Sequence, residues 1–358
     1  MKVYLLTFHG SVNYGAVLQA LALSKTLGSL GYACEVIDYN RELHHKNFLK
    51  SYSKSFKGKL YQALQYPQKF KLHKKFDSFI KANMPLSSKA YNGFGALSSE
   101  VFDENAAFIV GSDQVWNCEL TENNYHYFLD FTASENKFSY AASFGVSDIS
   151  GWENKARVLE LLQQFKSISV REESGAEIIK KELNRESTVV CDPTFLLEKS
   201  DWEQVASLND RGKYVLLFML SYNKDLHERA RELAKQKNLP LVNLAYSVKN
   251  IEGAENVPNL SPDEWLGYIA NADYVFTNSF HGFSLSLNFN RQVFVALTRG
   301  SRNSRILDLA RRYGVEDRII SNEKLCSDDI DYSLVLPKMQ ADREKSLDYI
   351  KGILKERQ

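Results

Sequence analysis

The sequence predicts an α/β protein made of two Rossmann-like domains facing a cleft. Three observations carry this. Strand-sized apolar runs alternate with helical segments along most of the chain. The chain has 358 residues, more than one hydrophobic core usually serves. Tyr214 to Leu220 is a nearly unbroken apolar run, the pattern of a parallel strand covered on both faces.

Val3 to Phe8 reads as a buried strand, Gly10 to Gly15 as a loop, Ala16 to Leu30 as a helix and Ala33 to Tyr39 as the next strand, with Gly31 as a helix stop. This β-loop-α-β unit opens a doubly wound sheet. Lys46 to Lys81 differs: ten lysines stand against one acid, Asp77, with eight aromatics interleaved. Helical spacing with a break near Pro67 makes it an insertion rather than a sheet element. Further strands are predicted over Ala107–Val110, Phe138–Ser143, Ser167–Val170 and Thr188–Cys191, with a helix over Glu172–Leu183. The pattern breaks between Phe195 and Arg211. It resumes with a helix over Asn223–Asn238, a strand over Leu241–Ala245, and a helix start at Ser261-Pro262-Asp263-Glu264 with the residues of a capping box. Tyr274–Thr277 and Gln292–Leu297 read as strands. Phe283–Phe289 and Asn303–Tyr313 read as helices. The predicted domains are therefore 1–200, carrying the basic and aromatic insertion near 46–81, and 201–337. A charged helix over 338–358 would cross back to the first domain.

Lysine plus arginine number 45 and aspartate plus glutamate 44, so net charge gives no argument for nucleic acid. The four cysteines, Cys34, Cys118, Cys191 and Cys326, lack CxxC or CxxH spacing. That argues against a zinc site or a disulfide framework and fits a reducing cytoplasm. No run approaches the ~18 apolar residues that span a bilayer, and Val3 to Phe8 is too short for a secretory h-region. A cytoplasmic protein is expected, with any membrane contact peripheral.

Ligands of parallel sheets bind beyond the carboxyl ends of the strands, so the residues after each strand are the candidates. Asn13-Tyr14-Gly15 opens a helix after the first strand and suits an anion or sugar hydroxyls, or is simply a capped turn. In Gly111-Ser112-Asp113-Gln114-Val115-Trp116-Asn117, polar groups beside a tryptophan suit a sugar, or the segment starts a helix with Trp116 in the core. Arg171 ends a strand as a carboxylate or phosphate clamp, or pairs with Glu172 or Glu173. Asp192-Pro193-Thr194 supplies a cap, a hinge or an acid/base group. Thr277-Asn278-Ser279-Phe280-His281-Gly282 combines a helix N-terminus, which favours anions, with a histidine that can handle protons. Arg299, Arg302 and Arg305 add positive charge after the next strand.

These blocks, with Ser143-Phe144-Gly145, Ser169-Val170-Arg171-Glu172, Asn303-Ser304-Arg305-Ile306 and Asn13 to Ala20, resemble in order and spacing the polysaccharide pyruvyltransferase family. The resemblance implies a GT-B-like architecture and an enzyme that needs no metal or cofactor. It implies phosphoenolpyruvate as co-substrate, whose pyruvate is transferred to a hexose, often galactose or mannose, as a cyclic ketal with release of phosphate. The setting implied is capsule or exopolysaccharide biosynthesis. On this reading His281 and Asp113 are catalytic. Arg171, Ser279, Asn278 and Arg305 bind the donor, and Asn13, Tyr14, Trp116 and Gln114 the acceptor. Many members carry an Asp-Arg pair where this chain has Asn278-Ser279, so donor contacts would differ or come from Arg299, Arg302 or Arg305. Acceptors in the family are often lipid-linked oligosaccharides. The insertion at 46–81 would then rest on the inner face of an anionic membrane, unless it is a solvated helical pair with aromatics packed inward. Two other readings remain: a GT-B nucleotide-sugar glycosyltransferase, and a catalytically silent glycan-binding relative.

Overall fold

The computed structural model describes residues 1–49, 56–103, 105–208, 210–246, 250–297, 303–320 and 328–355, without the side chains of 43, 45–47 and 56–65. Two compact units emerge. Unit 1 comprises Met1–Asn47, Ile80–Leu196 and Gln340–Gln358, and unit 2 comprises Phe48–Phe79 and Leu197–Met339.

In chain order the first elements are β1 (Lys2–Leu6), α1 (Tyr14–Ser29), β2 (Ala33–Tyr39), α2 (Arg41–Leu49), α3 (Phe56–Asn83), β3 (Leu86–Tyr91) and β4 (Ala107–Val110). There follow β5 (Lys137–Ser139), α4 (Lys155–Gln163), β6 (Ser169–Val170), α5 (Glu173–Leu183) and β7 (Thr188–Val189). Unit 1 is built on a parallel sheet of order β3-β2-β1-β4-β5. β6 and β7 pair in parallel beside it, joined by single bridges at Phe138–Ser167 and Ala142–Val170. Every residue of β4 is buried, as are Val3 to Leu6 of β1, because helices cover both faces. α1 is buried nearly all round, which explains its lack of a single apolar stripe.

The chain continues with α6 (Lys199–Val205), β8 (Val215–Phe218), α7 (Lys224–Lys237), β9 (Leu241–Ala245), β10 (Glu255–Pro258), α8 (Pro262–Asn271) and β11 (Tyr274–Thr277). It ends with α9 (Phe280–Asn288), β12 (Gln292–Ala296), α10 (Ser304–Tyr313), β13 (Ile319–Ile320) and α11 (Tyr332–Lys355). The sheet of unit 2 has the order β10-β9-β8-β11-β12-β13, all parallel, the doubly wound order of a dinucleotide-binding fold. Local chemistry sets the helix ends as predicted. Asn223 caps α7, and Asn238 ends it in the left-handed conformation. Ser261 and Glu264 form the capping box of α8, with Pro262 in its first turn.

Three strands escape the sequence reading, β3, β10 and β13, and all are sheet edges. β3 reads LSSKAY and β10 ENVP, and polar residues with proline are how edge strands avoid further pairing. α3 continues through Pro67 over 28 residues, where a break is expected. A proline forfeits about one intrahelical hydrogen bond, and the flanking turns carry the helix on. Its residues 56–79 cluster with unit 2 although unit 1 surrounds them in sequence. α11 starts at Tyr332, ahead of Pro337. Its later part belongs to unit 1, where Arg343 Nε donates to Phe195 O at 2.8 Å, Ser346 Oγ accepts from Cys191 N at 2.9 Å and Tyr349 OH donates to Ser139 O at 3.1 Å. Cys34, Cys118 and Cys191 are free thiols, and Cys326 lies outside the described residues. Among the described residues no helix is long and apolar enough to cross a membrane.

Candidate functional site

A sheet of this order reverses direction between its two central strands, and the crevice beyond their carboxyl ends is where ligands bind. In unit 1 those strands are β1 and β4, and in unit 2 β8 and β11. One buried polar side chain bridges each pair of strand ends. In unit 1, Thr7 Oγ1 donates to Ser112 O at 3.1 Å and accepts from Gln19 Nε2 at 2.9 Å. In unit 2, Asn278 Oδ1 accepts from Leu220 N at 2.8 Å while its Nδ2 donates to Ser221 O at 2.7 Å. Buried polar groups satisfied in this way fix a loop rather than loosen it.

The unit 1 site grows out of Gly111 and Asp113. Gly111 has φ +113, and a Cβ there would lie 2.2 Å from Tyr140 O, so only glycine allows this turn after β4. Asp113 follows at φ +71, a left-handed conformation that costs an ordinary L-residue roughly 1–2 kcal/mol and that aspartate tolerates better than most. Local strain of this kind concentrates at functional positions. Arg171, after β6, lies beneath the cluster. Its Nη1 is 2.9 Å from Asp192 Oδ2, its Nε 3.4 Å from Glu172 Oε2 and its Nη2 3.6 Å from Asp113 Oδ1. Glu172 also accepts a hydrogen bond from the Ser143 hydroxyl. Burial works against the guanidinium charge, but the Glu172, Asp192 and Asp113 carboxylates outweigh it and hold the pKa above the ordinary arginine value. Arg171 is buried and its guanidinium is engaged by carboxylates of its own unit, so it is not the exposed anion clamp the sequence suggests. It is the buried counter-charge that positions Asp113 and Asp192.

The unit 2 site forms where β11 runs into α9. Ser279 is the N-cap: its Oγ accepts from Gly282 N at 3.2 Å, and its own N donates to Thr277 Oγ1 at 3.0 Å. A Cβ on Gly282 would sit 2.7 Å from Thr277 Oγ1, so glycine lets α9 start this close to β11. His281 is 8% exposed, and its ring lies edge-on to Phe280 at 5.1 Å. Arg305, in the first turn of α10, places its guanidinium 5.7 Å from the Phe280 ring centroid, a cation–π contact worth about 0.5–1 kcal/mol. The positive end of α9, His281 and Arg305 thus meet around one phenylalanine, an arrangement that suits an anion and a proton transfer.

The remaining predicted residues divide. Asn13 is exposed and caps α1, with Oδ1 accepting from Ala16 N at 3.3 Å, while Tyr14 is buried. Gln114 Oε1 accepts from Asn117 Nδ2 at 3.2 Å beside Gly145. Trp116, expected at the acceptor, offers no ring face to a sugar. It is fully buried among Phe128, Phe144 and Phe165, and Nε1 donates to Tyr127 O at 3.0 Å. Asn278, expected at the donor, spends its amide on the two strand ends. Arg299 and Arg302 lie outside the described residues. Sequence reading missed a buried network in unit 1, in which His9 Nε2 is 3.1 Å from Asp38 Oδ1 and Arg41 holds Asp38 through Nε and Nη2 at 2.8–3.0 Å. Burial raises the Asp38 pKa, but hydrogen bonds from His9 and Arg41 bring it down to about 2. The signal was available: His9 follows β1 and Asp38 lies near the end of β2, so only the pairing of these strands was needed.

Two Rossmann-like units of parallel sheet, each with a polar site at its central strand ends, define an α/β protein of the GT-B type. Solved structures bear out the fold. S. aureus MnaA in its UDP co-structure matches at 12% identity, covering 99% of this chain and 96% of that one, with a TM-score of 0.52. Arabidopsis thaliana UGT89C1 complexed with UDP-L-rhamnose matches at 9% identity, covering 98% and 97%, with a TM-score of 0.53. Identities this low show fold alone. No curated protein matches the chain. The family model for polysaccharide pyruvyl transferase matches residues 13–299. The chain belongs to that family and is a transferase.

Proposed function

We propose that this transferase moves pyruvate from phosphoenolpyruvate to a galactose-like hexose of a surface-polysaccharide precursor, forming a cyclic ketal and releasing phosphate. The observation that carries the reading is the grouping of His281, Arg305 and the N-terminus of α9 in a chain of this family. The donor bears a carboxylate and a phosphate, for which a guanidinium and a helix N-terminus are suitable partners.

The methylene carbon of the enol takes a proton and becomes a methyl group, leaving an oxocarbenium-like centre at the neighbouring carbon. One sugar hydroxyl bonds to that carbon and gives up its proton. The carbon–oxygen bond to phosphate breaks, and the second hydroxyl closes the ring as it loses its proton. One of the two hydroxyl protons balances that taken by the methylene carbon, and the other leaves with hydrogen phosphate. In this scheme His281 handles the proton at the donor, and Arg305 with the start of α9 binds the donor charges. Ser279 and Asn278 shape that start. Asp113 is the second acid/base group, held by Arg171, and Asn13 and Gln114 offer hydrogen bonds to sugar hydroxyls. No cofactor is required.

The test follows phosphate release and product mass with phosphoenolpyruvate and a panel of hexosides, including lipid-linked ones. His281→Ala is expected to lose turnover while retaining its melting behaviour. Arg305→Gln is expected to raise KM for phosphoenolpyruvate about tenfold or more, the scale of one charge-assisted hydrogen bond. Turnover of a nucleotide-sugar but not of phosphoenolpyruvate would overturn the proposal.

A further inference from the structure

The outward side of α3 carries chemistry that neither the fold nor the proposed reaction uses. Between residues 66 and 81 the helix buries Leu72, Phe76, Phe79 and Ile80, an amphipathic stripe at helical spacing. Lys75 fastens it to α8 through an ion pair with Glu264 at 2.5 Å. Elsewhere on the helix, Tyr66, Phe70, Lys71 and Lys74 are exposed. Tyr66 is 48% exposed and Phe70 37%, and their rings stack at 6.0 Å between centroids with an interplanar angle of 14°. The Lys74 ammonium stands 4.8 Å from the Phe70 ring centroid. Tyr66, Phe70 and Lys74 are four residues apart and so lie on one stripe. A helix face meant only for water would intersperse acids with its lysines, yet Asp77 is the sole acid between residues 66 and 81.

We propose that this face docks the chain on an anionic lipid bilayer, with α3 lying in the plane of the interface. The two rings would enter the boundary between headgroups and acyl chains, where aromatic side chains are favoured. Lys71 and Lys74 would meet anionic headgroups. The lysines alone would suit any polyanion, but an exposed ring pair beside them needs an apolar phase next to the charge. Lys75 takes no part, since Glu264 holds it.

The experiment is sedimentation of the full chain with phosphatidylcholine vesicles, with and without phosphatidylserine, at low and high KCl, and in parallel with soluble polyphosphate. Binding is expected to require phosphatidylserine and to weaken with salt. Each lysine near such a surface is worth about fivefold in affinity, so Lys71→Gln with Lys74→Gln should weaken binding roughly 30-fold. Tyr66→Ser with Phe70→Ser should weaken vesicle binding and leave any polyphosphate binding unchanged. Lys224→Gln, on an exposed lysine of α7, should change nothing. Absence of vesicle binding, equal binding by all variants, or polyphosphate competing away all binding with no effect of the ring substitutions would overturn the proposal. Sedimentation reads no turnover, so it can fail while the pyruvyl-transfer reading stands, and the reverse.

Discussion

Arg171→Met tests whether that arginine is scaffold or clamp. The substitution keeps most of the side-chain volume and removes a cation that faces Asp113, Glu172 and Asp192. Removing one partner of a buried ion pair costs about 3–5 kcal/mol, because the other charge remains. The carboxylates keep other partners. Asp192 Oδ1 still accepts from Thr194 N at 3.0 Å and Thr194 Oγ1 at 2.8 Å, and Glu172 still accepts from Ser143. The lower end, about 3 kcal/mol, is therefore expected. Unit 1 is of the size for which each kcal/mol moves the midpoint about 2–4 °C, so its transition should fall by roughly 6–12 °C in scanning calorimetry. Arg171→Lys should fall by less, since an ammonium keeps the charge but cannot reach three carboxylates at once. A midpoint within a degree or two of the parent, with KM for phosphoenolpyruvate raised tenfold or more, would refute this reasoning and restore Arg171 as an anion clamp.

Two further outcomes follow from the same geometry. Asp38 is held down to about 2 by His9 and Arg41, so its folded pKa lies below its unfolded one. Its contribution, about 2 kcal/mol from a shift of nearly two pH units, is present above about pH 4 and fades as pH falls through 2. Urea denaturation should show the stability gap between parent and Asp38→Asn narrowing over that window, whereas a constant gap would assign the loss to packing alone. Trp116→Ala should cost about 3–5 kcal/mol, as loss of a buried aromatic does. Trp116→Phe, which keeps the ring contacts but loses the bond to Tyr127 O, should cost less. Loss of acceptor affinity without loss of stability in Trp116→Ala would return that residue to a sugar site.

What the sequence disclosed depended on whether one element or two were involved. The central strands were legible because burial on both faces removes polar alternation, and helix ends such as Ser261–Glu264 carry their own signal. Edge strands such as β3 and β10 were not, since avoiding further pairing makes them look like loops. At the strand ends, Arg171 and Trp116 take the alternative places the sequence left open, an ion pair and the core, and Asn278 binds backbone rather than standing free for a ligand. Each was expected at a ligand, and each is committed to other parts of the chain: carboxylates after two different strands, a stack of rings, the end of β8. Apart from Glu172, next to Arg171, those partners are 11 to 58 residues away; no local pattern records them. The placement of His281 was legible because its helix opens two residues after a strand, and that of Arg305 because Asn303-Ser304 marks a helix start.

The same distinction bears on Asn278 and Ser279, where the family resemblance implies an Asp-Arg pair. The two residues form a matched unit. Asn278 must donate to Ser221 O and accept from Leu220 N, which an amide does and a carboxylate cannot, having no donor when ionised. Ser279 must accept from Gly282 N, a cap worth about 1 kcal/mol that an arginine would not supply. An arginine at the cap would also set a cation against the positive end of α9. Arg305, on the neighbouring helix, instead places its guanidinium 5.7 Å from the ring centroid of Phe280, the first residue of α9. On the proposed reading, a donor anion bound there would offset the repulsion between Arg305 and the positive end of α9, and its charge would be met without an arginine at 279.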